Sequence, residues 1–207
     1  AGPVDVDRTG QEAGEDVAAG GIVVPRGRRV RPQDIAMLVA VGALEVVAFR
    51  RPRVRIVPTG SELIPLGAAM DAGDGGARVV ESNSFMLAAL ARRDGADPIL
   101  HPIVADDPVQ LRAALTAPGA DLIVMTGGSS VGQEDLGPVV VRELGELPIH
   151  GVHVRPASPT GIGFIGGMAI VLAPGYPVAA HVAWDLFARV IVQRMGGMNV
   201  ALPYRVQ

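Results

Sequence analysis

The chain contains no cysteine and no lysine among its 207 residues. The absence of cysteine excludes disulfide bonds, thiolate metal sites and cysteine nucleophiles. All 18 basic residues are therefore arginine, which excludes a lysine phosphate clamp and a lysine Schiff base. A local group of arginines remains available for binding an anion.

The chain also lacks a strong net charge and a long apolar run. Its formal net charge is −3, so it has no diffuse basic surface for nucleic acid. No apolar run reaches the roughly 20 residues that a bilayer span needs, and the first residues do not follow a signal-peptide pattern. Hydrophobic residues make up 49% and charged residues 19%, as in globular proteins. We expect a cytoplasmic protein that binds neither nucleic acid nor membrane.

From residue 51 onwards, predicted strands alternate with predicted helices. The strands are "RVRIVP", "ADPILHPIV", "DLIVMT", "IHGVHVRP" and "MAIVLAP". The helices are "ESNSFMLAALARRDG", "DDPVQLRAALT", "LGPVVVRELGE" and the long closing "YPVAAHVAWDLFARVIVQRMGG". This alternation predicts an α/β fold with three αβα layers and a mostly parallel sheet.

The pattern divides the chain into three parts. Residues 1–50 are rich in glycine and charge, and we interpret them as a small α+β segment of short strands and turns with one helix that begins near Pro32. Residues 51–197 form the α/β domain. Residues 198–207 look like the start of a further domain, so we expect this chain to be a segment of a longer protein.

A glycine-rich loop follows the third predicted strand, in "VMTGGSSVGQEDLG". Gly127 and Gly128 allow the backbone N–H groups to point at a ligand, and Ser129 and Ser130 add hydroxyl donors, which together favour an anion-binding nest. The loop is neither a P-loop nor a GxGxxG motif. A tight turn without a ligand remains the alternative.

Two carboxylates stand near this loop in the predicted topology. Asp135 follows the nest and Glu62 follows the first strand, and a Mg²⁺ ion between them and a phosphate would reconcile the charges. The alternative role of Asp135 is to cap the next helix, and that of Glu62 is an exposed loop charge.

Further candidates lie in the other loops at the carboxyl ends of the strands, where ligands of open α/β sheets bind. Thr59 is a candidate phosphate ligand, and Arg155 is a candidate anion clamp beside Ser158. Ser82 and Asn83 begin a helix, where simple capping is the alternative. The turn before the closing helix supplies Pro174, Gly175 and Pro177, with free N–H groups at the helix start.

In order along the chain, "RVRIVPTGSEL", "ESNSFML", "DLIVMTGGSSVGQED" and "VLAPGYPVAAHVAWDLF" resemble the molybdopterin-binding domain of molybdenum cofactor biosynthesis proteins. The resemblance is strongest to the molybdopterin molybdenumtransferase family, also called molybdenum insertase, MoeA or gephyrin E domain. It implies an enzyme that binds adenylylated molybdopterin and molybdate and, with Mg²⁺, releases AMP and inserts molybdenum. It also implies a homodimer in the full-length protein.

The resemblance also implies roles for individual residues. The segment from Gly127 to Gly132 matches the loop that cradles the pterin phosphate, and Asp135 and Glu62 match the family's acidic residues. Three positions depart from the family, the first being Ser61, which replaces the aspartate before the glutamate that Glu62 matches. Ser158 stands where the family has a lysine, and Tyr176 stands where it has an asparagine. The loss of the lysine removes a cation from the anion site, which would weaken molybdate binding or slow the reaction unless Arg155 substitutes for it.

Two other functions stay open on the sequence. One is the related molybdopterin adenylyltransferase, against which the segment of residues 10–50 argues. The other is a non-catalytic module that binds molybdopterin or a nucleotide, which the missing lysine favours. Retention of Glu62 and Asp135 counts against that module.

Overall fold

A computed structural model of the chain describes residues 16–68, 78–128 and 136–200. The chain divides into two compact units, Ala1–Ala48 and Phe49–Gln207. The assignment of three domains from the sequence stays a prediction.

Within residues 16–48, the described part of the first unit, lies one helix, α1 (Pro32–Ala40). Its Asp34 is buried and accepts hydrogen bonds from the backbone N–H and the guanidinium of Arg31, and it also pairs with Arg28. These arginine contacts, chiefly the one with Arg31, hold the pKa of the Asp34 carboxyl well below its usual range. The two arginines therefore fix the first turn of α1 through a charge that stays ionised.

The second unit is built on a six-stranded sheet. Its strands are β1 (Arg53–Pro58), β4 (Asp97–Leu100), β5 (Leu122–Thr126), β6 (Glu146–His150), β7 (Gly161–Ile165) and β8 (Met168–Ala173), in the order β4-β1-β5-β8-β7-β6. The first four of that order are parallel, whereas β7 is antiparallel to both β8 and β6. A separate parallel pair consists of β2 (Leu63–Ile64) and β3 (Val79–Val80).

Helices cover both faces of the sheet. On one face lie α2 (Asn83–Arg93) and the closing helix, which runs as α5 (Pro177–Ala183), a π-helical turn (Trp184–Ala188) and α6 (Arg189–Met195). On the other face lie α3 (Pro108–Thr116) and α4 (Leu136–Leu144). All five residues of β5 are buried, as expected for a strand covered on both sides. The prediction of a three-layer α/β fold with a mostly parallel sheet is confirmed.

Two parts of the predicted secondary structure differ from the observed one. The segment "IHGVHVRP" was predicted as a strand, but β6 ends at His150 and the rest is loop. The strand β7 was not predicted, because its "GIGFI" follows a loop rich in proline and glycine. In addition, residues 16–52 contain no strand, so the described part of the predicted α+β segment is purely helix and turn.

No helix within the described ranges combines the length and the apolar character that a membrane crossing requires.

Candidate functional site

The carboxyl ends of β1, β5 and β8 meet at one edge of the sheet. The register pairs Pro58 with Thr126, and Thr126 with Ala173. The loops that follow these strands begin side by side, at Thr59, Gly127 and Pro174. This edge is where open α/β sheets bind their ligands.

Gly127 makes the closest approach between two of these loops. Its φ of +87° lies in the left-handed region, and a Cβ at this position would lie 2.1 Å from the carbonyl oxygen of Thr59. That carbonyl cannot retreat easily, because the Gly60 N–H of the same peptide group donates to Val104 O (3.1 Å) and the Thr59 N–H donates to Thr126 O (2.8 Å). Gly128 also has a positive φ, of +53°. Only glycine satisfies the space and the backbone angle at Gly127, as the nest interpretation requires.

Asn83 connects the helix start to two strand ends. Its side-chain Nδ2 donates to Thr126 Oγ1 (2.9 Å) and to the carbonyl oxygen of Gly175 (2.7 Å). Ser82, the other candidate at this helix start, is exposed and makes no side-chain cap bond. Glu81 takes the capping role instead, because its Oε1 accepts from the N–H of Ser84 (2.8 Å). The expected cap therefore comes from a buried glutamate one residue before the predicted positions.

Glu62 lies in an exposed turn after β1. Its carboxylate covers the backbone of Gly60, where an added Cβ would lie 2.6 Å from Oε2. The turn is held by the preceding residue, since the N–H of Ser61 donates to Asp106 Oδ2 (2.9 Å) and the Asp106 N–H donates to Ser61 Oγ (3.1 Å). Glu62 is thus an exposed carboxylate on a fixed turn at the site edge, three residues after Thr59.

The loop between β6 and β7 reaches the same edge of the sheet, because β6 runs parallel to β8 and β7 returns antiparallel to it. Arg155 and Ser158 are both exposed in this loop. Between them, Ala157 is fully buried and its carbonyl accepts from Thr160 Oγ1 (2.7 Å). The arrangement presents the Arg155 and Ser158 side chains outward from an anchored turn.

The remaining candidates differ in exposure. Thr59 is 4% exposed, so its hydroxyl offers little surface to a ligand and its carbonyl serves the contact with Gly127. Pro174 is buried, whereas Gly175 and Pro177 are exposed at the start of α5. Ser129, Ser130, Gly132 and Asp135 lie outside the described residues. Their roles stay predictions.

Of the two carboxylates of the predicted Mg²⁺ site, Glu62 lies within the described residues. Within the described ranges no group of three acidic or histidine side chains could hold a metal ion. Glu62 fits as one oxygen ligand, because it is exposed and its turn is fixed.

Two residues that support the site were not singled out from the sequence. Thr126 is 1% exposed and joins Asn83 to the carbonyl of Pro174, to which its Oγ1 donates (3.3 Å). Asp106 holds the turn that carries Glu62. A signal existed for Asp106, because it follows the predicted strand "ADPILHPIV" and belongs to a loop at the same sheet edge. In the sequence Thr126 is an ordinary strand residue, and its role is visible only from its hydrogen bond with Asn83.

An α/β domain with a glycine-only contact at the carboxyl edge defines a ligand-binding class of protein. A family model described as "Probable molybdopterin binding domain" matches residues 55–194. The chain therefore belongs to the molybdopterin-binding domain family, and the resemblance seen in the sequence is confirmed.

Individual relatives agree with this assignment. Molybdopterin molybdenumtransferase 2 of Mycobacterium tuberculosis is 35% identical over 206 residues, which cover 94% of this chain and 49% of that protein. The molybdopterin molybdenumtransferase of a Nostoc species is 32% identical over 186 residues, covering 87% of this chain and 42% of that protein. The crystal structure of a MoeA molybdopterin biosynthesis protein from Pyrococcus horikoshii has a TM-score of 0.79 at 30% identity, with 89% of this chain and 45% of that chain covered. The chain spans about half the length of the curated relatives it matches, or less.

Proposed function

We propose that this chain is the molybdopterin-binding part of a molybdopterin molybdenumtransferase. In this function the protein binds adenylylated molybdopterin and molybdate, water hydrolyses the bond between the two phosphates so that AMP leaves, and molybdate exchanges an oxide, released as water, for the two dithiolene sulfurs. The observation that carries the proposal is the contact at Gly127, where two loops meet so closely that a single Cβ is excluded. The Gly127 N–H itself donates to Ala173 O (3.3 Å), so the backbone N–H groups that follow Gly127 are the ones proposed to bind the anion.

The loops that follow β5 and β8 would bind the phosphate of the pterin. The segment from Gly127 to Gly132 would hold the pterin phosphate, with Ser129 and Ser130 as hydroxyl donors. Gly175 and the start of α5 at Pro177 border the same space, and Gly175 approaches Gly127 closely enough that its Cβ would lie 3.5 Å from the Gly127 Cα. Ser82, which is exposed, completes the proposed binding set at the rim, whereas the buried Thr59 would act only through its backbone contact with Gly127.

Glu62 and Asp135 would act at the reacting phosphates. Both would supply oxygen ligands to Mg²⁺, which when bound neutralises phosphate charge and stabilises the leaving AMP. The exposure of Glu62 favours this role, because an exposed carboxylate loses its water without having to break a protein contact. Arg155 would attract molybdate with a guanidinium in place of the family's lysine, next to Ser158.

A specific observation favours a second candidate, a module that binds molybdopterin without turning it over. Ser158 is exposed and uncharged where the family has a cation, and no lysine exists elsewhere in the chain to replace it. The two candidates share the phosphate cradle and differ only in the chemistry beside it. For the longer protein we also propose a homodimer in the cytoplasm.

Asp135→Ala and Glu62→Gln test the proposed enzyme in the full-length protein. Each variant should lower kcat for AMP release by about a hundred-fold or more while molybdopterin binding, measured by calorimetry, changes less than about five-fold. The physical reason is that these carboxylates act on charge that develops during the reaction. Equal losses of binding and turnover would refute their assigned role, and a wild-type protein that binds without releasing AMP would establish the binding module.

A further inference from the structure

The amide of Asn83 ties three separate segments together at the site edge. The residue is the first of α2 and is 9% exposed. One Nδ2 hydrogen bond goes to Thr126 at the end of β5, and the other goes to the carbonyl of Gly175 in the loop before α5. Because a carbonyl oxygen only accepts hydrogen bonds, the contact with Gly175 fixes which end of the amide is nitrogen.

The same two bonds fix the distance between the two loops that border the proposed phosphate cradle. Thr126 Oγ1 accepts from Asn83 and donates onward to Pro174 O, so a continuous chain of hydrogen bonds runs from α2 to β5 and to the β8–α5 loop. Gly127 directly follows Thr126. The direct backbone bond between these loops, from Gly127 N–H to Ala173 O, is long at 3.3 Å. The two hydrogen bonds from the Asn83 amide, at 2.9 and 2.7 Å, are each shorter than this backbone bond.

The acceptor end of the amide supports a role in the site over a role in stability alone. Asn83 Oδ1 is buried and has no hydrogen-bond partner among the described residues. Among these residues, the amide is therefore engaged only through its two donor hydrogens, and both bonds lie at the site edge. The amide is retained where its two donor hydrogens are needed.

We propose that Asn83 is a positioning residue, whose amide holds the Gly127–Gly128 turn and the Pro174–Gly175 turn at the separation that binds the pterin phosphate. This inference rests on the proposed function. It replaces the expectation from the sequence that Asn83 itself binds the ligand. The substrate contacts the backbone of the two turns, and Asn83 acts through Thr126 and Gly175.

The test compares Asn83→Ala, Thr126→Val, the double variant and the conservative Thr126→Ser in the full-length protein. AMP release from adenylylated molybdopterin is measured with molybdate and Mg²⁺ present. Asn83→Ala should raise KM for adenylylated molybdopterin about ten-fold and change kcat less than two-fold, because it removes binding that ground and transition states share. The double variant should raise KM less than the product of the single effects, and Thr126→Ser should recover most of the affinity.

Leu90→Val is the matched control. It trims a buried side chain of the same helix that has no part in the loop contacts, so it should lower stability and leave KM unchanged. If Asn83→Ala does not fold by circular dichroism, Asn83→Ser and Thr126→Val carry the same comparison. An unchanged KM in the Asn83 variants, or an equal fall of kcat and kcat/KM, would overturn the proposal.

A readout without substrate separates this proposal from the proposed function. Hydrogen–deuterium exchange of the peptides that contain Thr126–Gly128 and Ala173–Tyr176 should be faster in Asn83→Ala than in the wild type. Leu90→Val should not change these peptides selectively. Unchanged exchange at both loops would overturn the positioning role even if the wild type releases AMP. Failure of the wild type to bind molybdopterin, with faster exchange still seen in Asn83→Ala, would overturn the proposed function and leave only the positioning of the two loops.

Discussion

Replacement of Gly127 by alanine is the sharpest perturbation of the site that the structure allows. The added methyl group would lie 2.1 Å from Thr59 O and 3.2 Å from Thr59 C, and both are backbone atoms held in the sheet. The φ of +87° adds the cost of placing a residue with a side chain in the left-handed region. The substitution therefore combines two penalties that the chain cannot relieve by rotating a side chain.

Gly119 supplies the matched control. Its φ of +99° is similarly left-handed, but a Cβ there would meet nothing within 4 Å. Gly119→Ala should therefore cost only the backbone penalty of about 1–2 kcal/mol. Gly127→Ala should cost that amount and a further ~1–3 kcal/mol for the forced displacement of Thr59. The difference between the two variants measures the close approach itself.

The assay is urea unfolding followed by tryptophan fluorescence. Trp184 is the single tryptophan of the 207-residue chain and is fully buried, so its emission reports unfolding of the second unit. Gly127→Ala should shift the transition to lower urea than Gly119→Ala and should also weaken molybdopterin binding in the longer protein. Equal transitions for the two variants, with unchanged binding, would show that the loops do not approach as described.

Three further predictions concern other contacts. Asp121 accepts hydrogen bonds from the Arg50 guanidinium (2.6 Å) and the Arg53 N–H, and chiefly the Arg50 contact lowers the pKa of Asp121 to about 2. The stabilisation is therefore complete above pH ~4 and lost as the pH falls towards ~2, so Asp121→Asn should lower the free energy of unfolding by ~1 kcal/mol at pH 7 and make it less dependent on pH between pH ~4 and ~2. An unchanged dependence of unfolding on pH would contradict the ion pair. Asp94→Ala should lower the free energy of unfolding by ~1–3 kcal/mol and shift tryptophan emission, because Trp184 Nε1–H loses the carboxylate to which it donates at 2.8 Å. Asp97→Ala, at an exposed carboxylate, is the control, and equal effects of the two variants would contradict the prediction. Ser158→Lys should raise kcat/KM for molybdate about five-fold or more through the restored cation, with Ser158→Met as the uncharged control of similar length, and equal values for both would refute an anion site at this loop.

The sequence predicts the parts of the fold that local signals specify. Continuous apolar runs identify β5 and β8, and the valine- and isoleucine-rich segment "RVRIVP" identifies β1, so the edge at which the site lies is predicted as well. Asp107 caps α3 as its position before Pro108 predicts, because its carboxylate accepts from the Val109 N–H (2.7 Å). Gly95, with a φ of +93°, follows the end of α2, where a left-handed glycine commonly ends a helix. These features depend on residues within a few positions of each other.

The sequence does not predict features that depend on distant partners. The strand β7 contains two glycines, and its pairing with β8 and β6 makes it a strand. The role of Asn83 depends on Thr126 and Gly175, which lie 43 and 92 residues away along the chain. Ser82 occupies the N-cap position of α2 but its side chain makes no capping hydrogen bond, although serine is a preferred N-cap residue. The Glu81 carboxylate accepts the hydrogen bond from the helix instead. Such contacts are decided by packing.

AMP release tests the central claim most directly. Full-length protein is mixed with adenylylated molybdopterin, molybdate and Mg²⁺, and AMP is measured together with the activation of a molybdenum-free apoenzyme. The proposed molybdenumtransferase predicts that AMP appears in step with activation and that both fall in Asp135→Ala. Tight binding of adenylylated molybdopterin with no release of AMP would contradict the account.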